Sequence, residues 1–278
     1  MSLFTASLNS GSNGNCYYIG NSSDAVLVDA GISCRETERR MARLKLDMKK
    51  VRAIFISHEH SDHIRGVEVI SKKYSLPVHI TPSTLKNSGL ALKKELTAGL
   101  RAYEPVLAGT LSITAFPKRH DAADPHSFIV EHEHIKIGVL TDIGSACENV
   151  IKNFALCDAA FLEANYDEEM LEKGRYPGYL KKRISSDQGH LSNTQALALF
   201  CDHAPAHMSH LFLSHLSRDN NRPGLAEQLF KQHCGNIFVK VASRYKETAV
   251  HEIKGGFSAK KKSLPERDAA PAVQMTLF

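Results

Sequence analysis

The chain has 278 residues, of which 42% are hydrophobic and 23% charged, and its formal net charge is +5 at pH 7. This length allows one large α/β domain with a full core, and the composition is that of an ordinary globular protein. No apolar run approaches the roughly 20 residues needed to cross a bilayer, and the N-terminus lacks the basic and apolar regions of a signal peptide. We therefore expect a cytoplasmic protein without a membrane span.

In chain order, the first third reads as short strands joined by turns, over 4–9, 16–20 and 25–31. A helix is predicted over 34–46, and a β-branched strand over 51–57 leads into a cluster of histidines. A helix over 64–74 and a strand over 77–81 follow. Later strands are predicted over 111–117, 127–132, 135–142, 159–165, 210–215 and 236–242, with helices over 194–203 and 224–233. This order predicts two packed sheets with helices outside, an αββα sandwich.

Two further features concern the organisation of the chain. The six cysteines are scattered without any C-x-x-C pair, which favours reduced thiols over a disulfide framework. The composition changes at Gly255, after which the sequence has no apolar periodicity. We therefore predict one folded domain over 1–254 and a flexible tail over 255–278.

The segment SHEHSDHIRG carries the strongest chemical signal. His58 and His60 lie two apart at a strand end, so their side chains project to the same face and can hold one ion together. Asp62 and His63 lie past the bend and can turn toward a second ion. Imidazole and carboxylate ligands suit zinc, manganese or iron, and the absence of thiolates argues against a structural zinc finger.

Two ions need more ligands, and these are available at later strand ends. His120 follows the strand over 111–117, Asp142 ends the strand over 135–142, and His215 ends the strand over 210–215. A carboxylate can bridge two cations, so Asp142 is the natural shared ligand. The other ligands then divide into one site (His58, His60, His120) and a second site (Asp62, His63, His215). Rival histidines near His120 are His126, His132 and His134.

The pattern H-x-H-x-D-H, followed by single His, Asp and His residues at strand ends, resembles the metallo-β-lactamase superfamily over roughly 1–255. The segments SGSNGN, RHDAADP, TDIG, FLEAN, GHLSN and LSHLSRDNN resemble its YycJ (WalJ) branch, whose members are regarded as DNA exonucleases. The resemblance implies the αββα metallo-β-lactamase sandwich for the folded domain. It also implies a two-metal phosphodiesterase that uses Zn or Mn and digests the ends of double-stranded DNA 5′-to-3′ in repair or replication.

The chemistry of such a site requires a proton for the leaving oxygen. Two divalent ions supply an activated water and a Lewis acid for a phosphoryl oxygen. The resemblance places Glu163 and His190 beside the leaving group, where the carboxylate would orient the imidazole. The residues assigned to catalysis are Asp62, Glu163 and His190.

Substrate contacts are predicted around this centre. The small residues of 10–15, with Ser12 and Asn15, offer free N–H groups for an anion, and Asn193 and Asn221 follow two of the active-site histidines closely. A basic cluster that would meet a nucleic-acid backbone comprises Lys173, Arg175, Lys181, Lys182 and Arg183. The sequence shows no aromatic ladder for stacking single-stranded bases.

The last five residues, QMTLF, resemble the Q-x-x-L-F peptide with which bacterial DNA-processing proteins bind the replication sliding clamp. Gln274 would supply a hydrogen-bonding amide, and Leu277 and Phe278 would fill an apolar pocket. Two other functions stay open on the same fold. One is a hydrolase of small esters, lactams or cyclic phosphodiesters, and the other is a DNA-associated adaptor without catalysis.

Overall fold

A computed structural model describes residues 2–255 of the chain. The strands in this range are β1 (Ser2–Asn9), β2 (Cys16–Gly20), β3 (Ala25–Val28), β4 (Val51–Phe55), β5 (Val78–Ile80), β6 (Thr97–Gly99), β7 (Val106–Ala108), β8 (Leu111–Pro117), β9 (His126–His132), β10 (Ile135–Leu140), β11 (Ala159–Glu163), β12 (His210–Ser214), β13 (Phe238–Val241) and β14 (His251–Lys254). The α-helices are α1 (Cys34–Arg43), α2 (Ser61–Ile64), α3 (Val67–Tyr74), α4 (Pro82–Ser88), α5 (Glu148–Phe154), α6 (Glu168–Lys173), α7 (Gly178–Ile184), α8 (Asn193–His203) and α9 (Pro223–Lys231). Within 2–255, every helix is too short or too polar to cross a bilayer.

The strands form two mixed sheets of seven strands each. Sheet A has the order β14-β1-β2-β3-β4-β5-β6 and is parallel from β3 to β6. Sheet B has the order β13-β12-β11-β10-β9-β8-β7 and is parallel from β10 to β13. In each sheet, a parallel half carries its strand ends to one edge, and the remaining strands pair antiparallel.

Alternate residues of the central strands pack on opposite faces of their sheet. In β3, Val26 and Val28 join the core between the sheets, whereas Leu27 joins the core under the helices of sheet A. In β11, Phe161 faces the inter-sheet core and Leu162 faces the core under α5, α8 and α9. Because both faces are covered, these strands are apolar except for Glu163 at the end of β11. The three cores make the four layers of the predicted αββα sandwich, so this fold prediction is confirmed.

Several element boundaries differ from the sequence-based predictions. The strand predicted over 25–31 ends at Val28, because Asp29 has a φ of 58°, which breaks the extended backbone. The helix predicted over 64–74 divides at Gly66, where a Cβ atom would lie 2.1 Å from the Ile32 carbonyl oxygen. Short elements without a clear period were not predicted: α4, α5, α6, α7, β6, β7 and β14. Tertiary packing stabilises such short segments more than local propensity does.

Candidate metal centre

The loop after β4 places four potential metal ligands beside one edge of the sandwich. His58 and His60 precede α2, and Asp62 and His63 lie within it. The His63 amide donates to the carbonyl oxygen of His60 over 2.9 Å and closes this turn. Because the turn reverses the chain, both pairs of side chains reach the same cluster.

Gly31 permits the close packing of this loop against its neighbours. A Cβ atom on Gly31 would lie 1.7 Å from the Asp62 carbonyl oxygen and 2.7 Å from the Asn15 amide nitrogen. The Gly31 amide instead donates to the Asn15 carbonyl, and the Asn15 amide donates to the Asp62 carbonyl, each over 2.7 Å. Any residue larger than glycine would therefore push the ligand loop outward.

The first group of potential ligands is His58, His60 and His120, with one ligand atom of each within 4.8 Å of the others. His58 Nε2 lies 3.0 Å from His60 Nδ1, and the His120 ring centroid lies 4.9 Å from that of His58. His120 donates from Nδ1 to the carbonyl oxygen of Gly189 over 2.9 Å. This hydrogen bond fixes the ring and leaves Nε2 for the cluster.

The second group is Asp62, His63 and His215. Asp62 Oδ2 lies 3.6 Å from His63 Nε2 and 3.5 Å from His215 Nε2. On the far side of its ring, His63 donates from Nδ1 to Asp29 Oδ2 over 2.7 Å. The two imidazoles therefore converge on the Asp62 carboxylate from separate sheets.

Asp142 lies between the two groups and is buried. Its Oδ2 is 3.1 Å from His63 Nε2, and its Oδ1 is 3.8 Å from His120 Nε2. The residue has a φ of 54°, a left-handed conformation that aspartate tolerates better than most residues. Its Oδ1 also lies 3.5 Å from His215 Nδ1, so the carboxylate contacts histidines of both groups.

Two buried imidazole atoms in this cluster indicate what the site can hold. His120 Nε2 and His215 Nε2 have no hydrogen-bond partner within the described part of the chain. A buried polar atom without a partner costs free energy, and a cation would satisfy both nitrogens. Imidazole and carboxylate together suit a borderline divalent ion. The residues present therefore fit a divalent metal centre.

Protons compete with a metal for these side chains. Burial by itself would lower the pKa of His215, but Asp142, Asp62 and Glu163 raise it to about 10. Burial would also lower the pKa of His63, but Asp142 and Asp29 raise this pKa well above its usual value. Metal binding must displace these protons, so the affinity of the site falls as the pH is lowered.

Two buried carboxylates orient the histidines from behind. Asp29 accepts from His63 Nδ1 and also from the Ser57 amide and hydroxyl, both over 2.8 Å. Glu163 Oε1 accepts from His190 Nδ1 over 2.8 Å and from His215 Nδ1 over 3.0 Å. Burial raises the pKa of Glu163, but His190 and His215 outweigh it and hold the pKa at about 2.

Glu163 also lies in a four-residue group of possible ligands with Asp142, His190 and His215. Its second oxygen, Oε2, accepts from the Ile143 amide over 2.6 Å. Because both oxygens already receive hydrogen bonds, Glu163 fits an orienting role better than a metal-ligand role.

The structure places His190 beside His120 and His215. Its ring centroid lies 5.2 Å from that of His120 and 5.3 Å from that of His215. Its side chain is 20% exposed, against 1% for His120 and 4% for His215. His190 is therefore the histidine of these three that solvent and substrate reach most easily.

Asp29 and Lys118 contribute to the site and were not predicted. Asp29 follows β3 directly, which is the strand-end context that identified Asp142, so the sequence did contain a signal. Lys118 is buried, and its Nζ donates to the carbonyl oxygen of Thr141 over 2.6 Å, next to the strained Asp142. A lysine beside an arginine in the sequence gives no sign of burial.

The predicted anion loop lies against the metal cluster. Asn15 is buried, and its Nδ2 is 3.2 Å from Asp62 Oδ2 and 3.0 Å from His63 Nε2. Ser12 is exposed, and its hydroxyl accepts from Arg244 Nη2 over 3.1 Å. Asn15 is thus placed to position ligands, whereas Ser12 is open to a substrate.

The predicted substrate contacts of Asn193 and Asn221 do not fit the structure. Both side chains are buried, and each amide donates to the other's oxygen, over 3.1 and 2.9 Å. Asn221 also donates to the carbonyl oxygens of Ala164 and Asn165. These amides join β11 to the loops that follow α7 and β12, which is a structural role.

The rival histidines lie outside the ligand groups, and the tail lies outside the described residues. His126 is buried on β9 with its Nδ1 bonded to the Asp124 carbonyl, and His132 bonds the Thr110 carbonyl. Neither these nor His134 joins a ligand group in residues 2–255. The clamp-binding prediction falls on Gln274, Leu277 and Phe278, which lie outside the described residues.

The chain is similar to a protein-family model, to curated proteins and to solved structures. Residues 24–215 match the model of the beta-lactamase superfamily domain. The chain is 34% identical to exodeoxyribonuclease YycJ of Bacillus anthracis, over 84% of this chain and 89% of that protein. It is 33% identical to exodeoxyribonuclease WalJ of Streptococcus pneumoniae, over 79% and 83% respectively. The metallo-beta-lactamase fold protein YhfI of Bacillus subtilis aligns with a TM-score of 0.70 at 17% identity, covering 91% of this chain and all of that one.

Proposed function

The chain belongs to the metallo-β-lactamase superfamily and to its YycJ/WalJ branch, and from this membership we propose that it is a two-metal DNA exonuclease. The observation that carries the proposal is the pair of three-residue ligand groups on either side of Asp142. Two ions, zinc or manganese, would be held by the two groups, and Asp142 would be available to both. When bound, such a pair provides a Lewis acid for a phosphoryl oxygen and lowers the pKa of water to near neutrality.

The chain's own residues then orient the ligand rings and supply a proton to the leaving oxygen. Asp29 and Glu163 hold the rings of His63 and His215 by accepting from Nδ1, so that Nε2 faces the cluster. The Nδ1–H group of His190 donates a hydrogen bond to Glu163. Its Nε2 is then free to carry the proton that the leaving oxygen takes. In this proposal Asp62 and His190 act at the reacting centre, and Glu163 is a positioning residue.

The substrate that we propose is DNA with accessible ends, digested 5′-to-3′ in repair or replication. Two relatives of at least 33% identity are named exodeoxyribonucleases, which favours DNA over a small ester or lactam. Helix α7 supports a polyanionic substrate, because Lys181 and Lys182 lie on it and His190 is bonded to its last residue, Ile184. All six cysteines are free thiols, which suits the reducing cytoplasm where such DNA is found.

One assay separates this proposal from its alternatives. Purified protein with manganese or zinc is given single- and double-stranded DNA and RNA labelled at either end, beside a panel of small esters, lactams and cyclic phosphodiesters. We expect release of label from the 5′ end of DNA before the 3′ end. Hydrolysis of the small substrates alone would favour the small-molecule hydrolase, and binding of DNA without any hydrolysis would favour the adaptor.

We further propose that the QMTLF tail binds the bacterial sliding clamp. Leu277 and Phe278 would fill an apolar pocket of the clamp, ordering only a few residues would keep the entropic cost modest, and the enzyme would be concentrated at clamp-loaded DNA. We expect a peptide of residues 265–278 to bind the clamp with a dissociation constant on the order of micromolar.

Fluorescence titration measures that binding. The matched control is the peptide with Leu277→Ala and Phe278→Ala, which should not bind, and the same changes in the full chain should leave hydrolysis of free DNA ends unaltered. Equal binding by both peptides would remove the docking role.

A further inference from the structure

A basic groove runs along β13, the edge strand of sheet B. Two adjoining cavities of about 280 and 390 Å³ form it, and both are lined by Lys240, Val241, Ser243 and Lys246. The first cavity begins at Ser10 and Leu216, and the second ends at Phe238 and His251. We name this feature the β13 groove.

The β13 groove opens directly beside the second ligand group. The amide of His215 donates to Ser10 Oγ over 2.8 Å, and the Ser10 amide donates to the Ser243 carbonyl over 3.2 Å. Ser10 therefore links a metal-facing histidine to the wall of the groove. A phosphodiester at the metal cluster would have its neighbouring nucleotides at the mouth of this groove.

Charge in the β13 groove is positive and largely unpaired. Its two carboxylates already have cationic partners: Glu227 pairs with Lys231 and Lys240, and Glu247 pairs with Arg43. Arg218, Arg244 and Lys246 form no ion pair among residues 2–255 and remain available to an anion.

Arg244 provides a second and independent observation. Its Nη1 is buried without a hydrogen-bond acceptor in the described part of the chain, while its Nη2 donates to Ser12 Oγ. A buried donor without an acceptor is costly, and a guanidinium is well matched to phosphate oxygens. The orphaned donor thus marks a place for a phosphate in the groove.

Aromatic rings accompany these cations. Tyr245 is 73% exposed, and Phe238 is 42% exposed at the far end of the groove. Arg244 Cζ lies 5.9 Å from the centre of the Tyr245 ring. Exposed rings beside basic side chains are the combination that binds single-stranded nucleic acid, because bases stack on the rings while phosphates meet the cations.

From these observations we infer that the β13 groove binds a single strand of the polynucleotide substrate next to the bond that is cut. A cavity of about 280 Å³ is at the small end of ligand pockets, which suits one nucleotide unit and not a duplex. The inference rests on the proposed nuclease function and adds to it the path that the bound polynucleotide strand takes beside β13.

The test uses the full chain in the Asp142→Asn background, so that a fluorescent oligonucleotide is bound without being cut. We expect Arg244→Ala with Lys246→Ala to weaken binding of a single-stranded oligonucleotide by about 10- to 100-fold. The slope of log affinity against log salt should fall by about 1.4, since each phosphate contact on a single strand contributes about 0.7. Tyr245→Ala should weaken binding without changing the slope, because stacking releases no counterions.

A matched control removes two exposed lysines that line neither cavity, Lys49→Ala with Lys94→Ala, and should leave affinity and slope near those of the parent. With Asp142 restored, the Arg244 and Lys246 variant should bind as many metal ions per chain as the wild type, which shows an intact centre.

The outcomes separate the two levels of the proposal. Wild-type protein that neither binds nor cuts any polynucleotide would overturn the nuclease function itself. Wild-type protein that cuts DNA, together with groove variants of unchanged affinity and slope, would overturn the groove alone. An equal loss of affinity for a blunt duplex would overturn the assignment to a single strand.

Discussion

In sheet A, one loop supplies His58, His60, Asp62 and His63, whereas in sheet B the potential ligands come one at a time from the ends of separate strands. The loop is held as a unit, since the Asn15 amide donates to the Asp62 carbonyl and the Ala30 amide donates to the His63 carbonyl. The sheet B residues have separate supports, such as Gly189 for His120 and Glu163 for His215. A change in sheet B should therefore remove one ligand, while a change in the loop can displace several.

The largest effect is expected where the two halves meet. Asp142→Asn weakens the one carboxylate that faces both groups, so we expect loss of hydrolysis, and His60→Ala should do the same from the loop side. Metal content per chain measures the cause, with two ions expected in the wild type. His132→Ala, outside every ligand group, is the matched control and should keep both ions. A fully active wild type with one ion or fewer would contradict the two-ion centre.

The next effect concerns the sheet B residue that is not assigned as a ligand. We expect His190→Ala to keep the metals and to slow turnover by about 10² to 10⁴, the usual worth of a positioned general acid. Glu163→Gln should slow it less, because the imidazole stays in place. Steady-state kinetics with parallel metal analysis distinguishes the roles. If His190→Ala lost an ion while His215→Ala retained both, the ligand and the acid would have to be exchanged.

The smallest of the three effects is expected at Asp29, the carboxylate that supports the loop half of the site. Asp29→Asn should weaken metal binding by about 10- to 100-fold, because its hydrogen bond to His63 Nδ1 fixes the ring. Competition with a chelator measures this affinity, and Asp219→Asn, an exposed aspartate outside the ligand groups, is the control. An unchanged affinity for Asp29→Asn would show that the loop holds His63 without its carboxylate.

The sequence predicted the loop half of the site well because its ligands are adjacent in the chain. His58, His60, Asp62 and His63 form a motif whose spacing alone requires convergence at a strand end. His120, Asp142 and His215 could be selected because each follows an apolar run, and the structure brings all three to the same cluster. Two packed sheets were predictable for a similar reason, since strand and helix periods are local properties.

Burial and pairing were decided by the tertiary structure. Asn193 and Asn221 looked like surface amides in polar loops, but the fold turns them toward each other behind β11. Nothing in the sequence marks Lys118, beside Arg119, as buried, but the end of β8 directs it into the interior against Thr141. Arg244 and Tyr245 lie far along the chain from Ser10, and only the packing of the segment after β13 against the end of β1 brings all three to one cavity.

The physical reason for this difference is the separation in sequence over which each property is determined. Residue type and spacing fix which atoms can bind a cation and to which face of a strand they point, because backbone geometry repeats over a few residues. Whether a polar side chain meets water, a partner or a substrate depends on segments that are more than a hundred residues away, as Arg244 and Ser12 are. The sequence thus determined the sandwich and the candidate metal ligands that it brings together, and only the packing of the two sheets determined which polar groups remain free to meet a substrate.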